Sequence, residues 1–170
     1  MISWFITQAE KSLRVPLDYL RVIARHSLSG FIKFSLFTPL SAHRTTLAPA
    51  LWHIARIRAT QLEDCGTCVQ ITVNQALDAG IPAPLIAAVV RGEVHTLSDA
   101  QRLILNYTTA VCQQDEAVAL PLRETFLQQY GEAALVDLAL GIATARVYPT
   151  TKRALGLAVS CARVEVAIPG

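Results

Sequence analysis

Residues 47–80 decide the fold and read LAPALWHIARIRATQLEDCGTCVQITVNQALDAG. Apolar residues recur at helical spacing from Leu47 to Leu62, which predicts one long helix. Asp64 has the short polar side chain of an N-cap and predicts a second helix from Cys65 to Asp78, which Gly80 ends. Because short connections favour antiparallel neighbours, we expect the two helices to pack side by side as a helical hairpin.

The rest of the chain also carries helix signals, whereas alternating strand patterns are scarce. The other segments predicted to be helical are one opened by Pro16, then Leu85–Arg91, Asp99–Gln113 with Ser98 as N-cap, Leu122–Tyr130 ended by Gly131, Glu132–Val147 stopping before Pro149, and a last helix from Pro149 or Thr150 to Arg163. We therefore predict a single all-α domain over residues 1–170 with about eight to ten helices. Its parts are N-terminal helices in 1–45, the hairpin in 47–80 and the remaining helices in 82–170.

Composition limits the classes to which the protein can belong. Hydrophobic residues make up 52% of the 170 residues and charged residues 16%. Much helical surface must therefore be buried within the fold or in a homo-oligomer. No run of about 18 apolar residues is present, so we expect no membrane span. The net charge of +2 does not indicate a nucleic-acid partner, which would need a clustered basic face.

The first residues indicate the compartment. The start, MISWFIT, has neither the basic beginning nor the uninterrupted apolar stretch of a signal peptide, and Glu10 and Lys11 follow closely. We therefore expect a cytoplasmic protein, in which thiols stay reduced. In that compartment a Cys-x-x-Cys motif is more often catalytic or metal-binding than a structural disulfide.

Cys65 and Cys68 carry the clearest chemical signal in the sequence. Thiols at positions i and i+3 lie on one helical face, so they can close a disulfide or share a metal. A helix N-terminus stabilises a thiolate through its free N–H groups. Glu63 and Asp64 oppose this by repulsion, unless Glu63 accepts the thiol proton as a general base. A zinc site would need two further ligands, and a pair of inert core cysteines is the third interpretation.

Residues 53–68, HIARIRATQLEDCGTC, resemble the core of the carboxymuconolactone decarboxylase family, specifically its alkylhydroperoxidase D-like branch. The resemblance implies an all-helical, usually oligomeric protein that reduces hydroperoxides through a thiol–disulfide cycle. It also implies that Cys68 attacks the peroxide and that Cys65 captures the resulting sulfenic acid as a disulfide. An external dithiol would then reduce that disulfide by exchange, and no bound cofactor or metal is expected.

Two positions depart from the pattern of the peroxidase members. Those members have a Glu twelve residues before the first cysteine and a His four residues after the second, where this chain has His53 and Thr72. His53 is a candidate base because imidazole titrates near neutral pH, and Glu63 is another candidate. Thr72 can only pass a proton or orient a water. Two alternatives therefore stay open: a non-peroxidatic small-molecule-binding, decarboxylase-like or isomerase-like protein, and a redox-sensing oligomeric scaffold.

Overall fold

The computed structural model describes residues 2–158 and 164–166. The α-helices are α1 (Ile2–Leu13), α2 (Asp18–His26), α3 (Leu28–Ser35), α4 (Thr38–Ser41), α5 (Pro49–Leu62), α6 (Gly66–Asp78), α7 (Ala83–Arg91), α8 (Asp99–Gln113) and α9 (Glu116–Ala154). The described ranges contain these nine helices, of which α4 is a single turn, and no strand. A 3-10 turn at Val94–Thr96 lies between α7 and α8. The predicted all-α class is therefore confirmed. None of the helices in those ranges is long and apolar enough to cross a lipid bilayer.

Helix α5 lies at the centre of the fold. It is apolar on most faces, as expected of a helix surrounded by protein, and Ala55, Ile57 and Ala59 are almost completely buried. It packs against α6, α8 and α9. The hydroxyl of Thr60 on α5 lies 3.1 Å from that of Thr72 on α6. The two helices of the predicted hairpin therefore pack side by side, as expected.

The turn between α5 and α6 differs from the prediction at one residue. Asp64 is not the N-cap of α6. It adopts a left-handed conformation with φ of 48°, which Asp tolerates better than most residues. The cap position belongs to Cys65, whose backbone is extended and whose side chain makes no capping hydrogen bond. The prediction was wrong because the chain needs Asp64 to reverse direction after α5, which leaves it outside the helix.

Helix α9 spans three segments that the sequence analysis predicts as separate helices, divided at Gly131 and before Pro149. The break at Gly131 is confirmed, since its φ of 79° and ψ of 175° interrupt the helical backbone. The predicted stop before Pro149 was wrong, because the helix continues through this buried proline to Ala154. A proline removes one backbone hydrogen bond, but the turns that follow it are held by side-chain contacts with the α5–α6 turn. The predicted continuation of the last helix to Arg163 was wrong, because the helix ends at Ala154 and residues 155–158 are not helical. Arg163 itself lies outside the described residues.

The conformation of Gly131 leads to a prediction about stability. This region of backbone space is nearly exclusive to glycine and costs another residue about 1–3 kcal/mol. No atom lies within 4 Å of the Cβ that alanine would add, so the penalty comes from the backbone alone. We expect Gly131→Ala to lower the free energy of unfolding by about 2 kcal/mol in urea titrations. The matched control is Gly92→Ala, whose left-handed φ of 74° and ψ of 27° should cost about 1 kcal/mol. Equal losses in the two variants would contradict this explanation.

Asp137 of α9 fastens the segment that leads into α5. Its carboxylate is completely buried and accepts hydrogen bonds from the backbone N–H groups of Thr45 (2.9 Å), Thr46 (2.6 Å) and Leu47 (2.9 Å). Burial alone would raise the pKa of Asp137, but these donors outweigh it and hold the pKa below the ordinary value. The start of α5 is therefore fixed by one buried charge.

The N-terminal helices cover one side of the α5–α6 pair. Ile6 of α1, Leu17 and Tyr19 form a small buried cluster, against which Ile71 of α6 and Tyr148 of α9 pack. Residues of α1 to α4 lie across a cavity from Cys68, Ile71, Thr72 and Gln75 of α6.

Candidate thiol site

The two cysteines lie at the beginning of α6 with their sulfur atoms in contact. Cys65 is the N-cap and Cys68 belongs to the first turn. Their Sγ atoms are 2.8 Å apart, and both residues are buried, free thiols. This separation is longer than a disulfide bond of about 2.05 Å, so the two sulfurs are in contact but are not covalently bonded. A small displacement of either sulfur would close the bond.

The surroundings decide which sulfur carries the negative charge. In the neutral pair Cys65 donates to Cys68 across 2.8 Å. Once Cys65 is ionised, Cys68 becomes the donor, and this hydrogen bond lowers the pKa of Cys65 to about 5 against the opposing effect of burial. The Thr67 hydroxyl, the backbone N–H of Cys68 and the ammonium of Lys152 add to the lowering. The same hydrogen bond and burial raise the pKa of Cys68. Cys65 is therefore the thiolate at neutral pH, and Cys68 donates to it.

Lys152 approaches the pair from the end of α9. Its ammonium donates to the Thr67 hydroxyl, which lies 3.6 Å from the Cys65 sulfur. Lys152 itself is buried, so its charge acts over a short distance with little screening. The positive charge and the hydroxyl together favour the anionic form of Cys65.

The position of Lys152 leads to a prediction about thiol ionisation. We expect Lys152→Met to raise the pKa of Cys65, because it removes a cation that favours the thiolate. The fraction of thiolate, followed by its ultraviolet absorbance as a function of pH, would show the change. In the wild-type protein the titration should lie near pH 5. Lys33→Met on α3 serves as the control and should leave the curve unchanged, whereas an unchanged curve for Lys152→Met would contradict the assignment.

Glu63, a candidate base from the sequence, is engaged in ion pairs. Its carboxylate accepts from Arg146 Nε at 2.6 Å and from Arg153 Nη1 at 2.9 Å, and Arg153 also donates to its backbone carbonyl. Burial raises the pKa of Glu63, but hydrogen bonds from the two arginines outweigh burial and keep the pKa below the ordinary value. Both carboxylate oxygens are thus occupied. The arrangement suits a residue that fastens the α5–α6 turn to α9.

His53, the other candidate base, lies apart from the thiols. It is buried on α5 with its ring edge-to-face against Trp52, and its Nδ1 has no hydrogen-bond partner among the described residues. Burial, followed by the charges of Arg56 and Arg44, lowers the pKa of His53 to about 4. The imidazole is therefore neutral at pH 7. The structure brings together Cys65 and Cys68, but neither His53 nor Glu63 makes a hydrogen bond to them within the described residues.

Thr72 lies four residues after Cys68, where the peroxidases that the hairpin resembles have a histidine. Its hydroxyl donates to the carbonyl of Val69 at 2.9 Å and lies 3.1 Å from the hydroxyl of Thr60, which in turn donates to α5 carbonyls. The threonine pair is buried and satisfied by backbone acceptors. Thr72 and Cys68 nevertheless line the same cavity.

The cavity has a volume of about 190 Å³ and is mostly apolar. Residues from α1 to α6 and from α9 contribute to its wall, among them Leu13, Phe34, Arg56, Ile71 and Tyr148. Cys68 lines this cavity, whereas Cys65 lines a different cleft near the surface together with Gln61 and Asp64. The two sulfurs therefore touch each other but face different spaces.

Sequence reasoning missed two positive residues of the site, Lys152 and Arg56. Lys152 is separated from Thr67 by 85 residues, and no local pattern indicates a contact over that distance. Arg56 carried a weak signal, because it is a charged residue within a helix that is apolar on most sides. Within the described residues, no group of three or more His, Cys, Asp or Glu side chains is placed to hold a metal ion.

Comparisons of the chain with protein-family models, with curated proteins and with solved structures gave no match. The resemblance to the carboxymuconolactone decarboxylase family therefore rests on the residues of the hairpin, and its functional implications stay predictions.

Proposed function

We propose that the protein is a thiol-dependent hydroperoxide reductase that cycles between the Cys65/Cys68 dithiol and a disulfide. The observation that carries this proposal is the 2.8 Å contact between the two sulfurs, with one sulfur at an apolar cavity and the other near the surface. A hydroperoxide would enter the cavity and meet Cys68. An external dithiol would approach Cys65 through the surface cleft.

The first step is attack by the Cys68 sulfur on the peroxide oxygen. As the Cys68 sulfur bonds to the peroxide oxygen and displaces the distal alkoxide from the O–O bond, its proton moves across the hydrogen bond to the Cys65 thiolate. The two events are concerted, because the raised pKa of Cys68 prevents a free Cys68 thiolate from forming first. The proton then goes to that alkoxide, which leaves as an alcohol. Cys68 becomes a sulfenic acid and Cys65 is a thiolate again. In this proposal Cys65 serves as the base, so the step needs neither the Glu nor the His that the peroxidases resembled by the hairpin have where this chain has His53 and Thr72.

The second step closes the disulfide. The Cys65 thiolate attacks the sulfur of the Cys68 sulfenic acid and expels hydroxide, which becomes water on protonation. Lys152, joined to Thr67 beside Cys65, is placed to supply that proton. One hydroperoxide is thereby reduced to alcohol and water, and two thiols are oxidised. An external dithiol restores the pair by exchange and becomes a disulfide itself.

The proposal is tested by the rate at which wild-type protein reacts with a hydroperoxide. Stopped-flow measurement of thiol loss at pH 7 should give a rate constant well above that of free cysteine, and a dithiol reductant should sustain turnover. Free cysteine at the same thiol concentration is the control, because it lacks the paired geometry. A rate no greater than that of free cysteine would overturn the proposal.

A second candidate is a small-molecule-binding protein in which the cysteines take no part in turnover. The enclosed apolar cavity favours it, since ligand sites are typically concave, apolar and furnished with a few polar groups. Activity that survives replacement of Cys65 by Ser would support this second candidate over the peroxidase.

Self-association and a cytoplasmic location stay predictions. The homo-oligomer is supported by large apolar side chains that are exposed on the N-terminal helices, namely Trp4 and Phe5 on α1, Ile32 on α3 and Leu36 directly after it.

Sedimentation of the oxidised and reduced forms would test the third possibility, a redox-sensing scaffold. Identical sedimentation of the two forms would rule out that scaffold.

A further inference from the structure

Arg56 is a buried cation without an acidic partner. Its side chain is largely enclosed, with 5% of the residue exposed. Nη1 donates to the Gln75 side chain at 3.0 Å, the guanidinium lies 4.5 Å from the centre of the Trp52 ring, and Nε has no hydrogen-bond partner among the described residues. The ion pairs found in those residues do not include Arg56. Burial lowers the pKa of Arg56 to about 10, so it stays charged at neutral pH.

An unpaired buried charge costs free energy that a bound anion can offset. Arg56 lines the cavity next to Cys68, and among the described residues it is the only charged residue that does so. The rest of the wall is apolar or carries hydroxyl and amide groups, including the phenol of Tyr148. The cavity thus offers a cation and apolar surface, but no anion to balance the charge.

We infer that the cavity binds the carboxylate of a small organic acid, with Arg56 as the counter-ion and the apolar wall around the hydrocarbon part. Arginine forms strong charge-assisted hydrogen bonds with carboxylates, and Arg56 is part of the cavity wall. A cavity of about 150 Å³ accommodates benzene, so the 190 Å³ present here suits an aryl or short alkyl group. It follows that the hydroperoxides reduced by the protein are acids. That substrate class rests on the proposed function, whereas the anion site does not.

Binding of benzoate and of benzamide, its uncharged counterpart of nearly equal shape, tests the inference. The protein contains two tryptophans, so a Trp4→Phe background leaves Trp52, under the Arg56 guanidinium, as the only fluorescent indole. We expect benzoate to change the Trp52 emission and to bind at least about tenfold more tightly than benzamide, since a hydrogen bond between two charged groups is stronger than one to a neutral amide. Equal affinity for the two compounds, or no binding of benzoate, would overturn the inference without any further variant.

Variants of Arg56, with one of Arg58 as the control, show whether Arg56 causes the preference for benzoate over benzamide. Arg56→Met should abolish the preference for benzoate, and Arg56→Lys should restore part of it. Arg58→Met is the control on the same helix, because Arg58 donates to Thr109 on α8 and does not line the cavity. Its benzoate affinity should stay within about twofold of the parent protein, in keeping with a contact outside the site. An unchanged preference in Arg56→Met would contradict the assignment.

The anion site and the redox reaction can fail separately. If benzoate binds as expected but no hydroperoxide is reduced, the proposed function fails and the anion site stands. If hydroperoxides are reduced but benzoate has no advantage over benzamide, the anion site alone fails.

Discussion

Replacing Cys68 with serine is expected to reduce hydroperoxide turnover by about 1000-fold or more, as loss of a nucleophile commonly does. The serine hydroxyl lacks the nucleophilicity of sulfur and cannot form a disulfide with Cys65. The Cys65 that is left faces the surface cleft instead of the cavity. Peroxide consumption in the presence of excess dithiol gives the measurement. Cys112→Ser is the control, because Cys112 is a half-buried free thiol that does not line the cavity.

Cys65→Ser should fail at a different step. This variant keeps Cys68 at the cavity but lacks both the proton acceptor and the resolving thiol, so turnover should stop after slow formation of a sulfenic acid on Cys68. A reagent that traps sulfenic acids should label Cys65→Ser and leave Cys68→Ser unlabelled. The opposite labelling pattern would reverse the roles assigned to the two cysteines.

Replacing Asp137 with alanine is expected to lower the free energy of unfolding by about 3 kcal/mol or more, because it leaves three backbone N–H groups before α5 without their acceptor. Urea titration at pH 7 would measure the loss. Asp99→Ala is the control, because the Asp99 side chain is 96% exposed and its removal should change stability by less than about 1 kcal/mol. Similar losses for the two variants would show that the buried carboxylate does not fasten the segment.

Asp137 also sets how stability depends on pH. Its folded-state pKa is lower than the unfolded value, which is about 3.9, so its contribution is fully present above that value. The contribution disappears as pH falls through the lower folded-state pKa, where the carboxylate takes up a proton and loses its strength as an acceptor. In Asp137→Asn this part of the acid-induced loss of stability should be absent. An identical pH profile for the two proteins would contradict this explanation.

Local signals in the sequence were enough to predict most of the helices. Ser98 is the N-cap of α8 as predicted and forms a capping box with Gln101, and Gly92 ends α7 in the left-handed conformation. These features depend on neighbouring residues, so a pattern within a few positions reveals them. Pro149 was misread for the same reason, since its local effect is to end a helix. There, contacts from Lys152 and Arg153 to the distant α5–α6 turn outweigh the local preference.

The candidate site could be predicted only in part. The spacing of Cys65 and Cys68 indicated a contact between the thiols, because residues three apart share a helical face. The charges that add to the effect of the sulfur–sulfur hydrogen bond on their ionisation come from Lys152 and Arg153 on α9, which are distant in the sequence. For the same reason, the partners of Glu63 could not be known before Arg146 and Arg153 were placed beside it.

The most direct measurement is mass spectrometry of the wild-type protein after one equivalent of hydroperoxide, with unreacted thiols alkylated on denaturation. A redox cycle at the thiol pair predicts a peptide in which Cys65 and Cys68 are joined by a disulfide and carry no alkyl group. Treatment with a dithiol before alkylation should reduce the disulfide, so that both cysteines become alkylated. Two fully alkylated cysteines after the peroxide has been added, or oxidation of either sulfur that a dithiol does not reverse, would contradict that cycle.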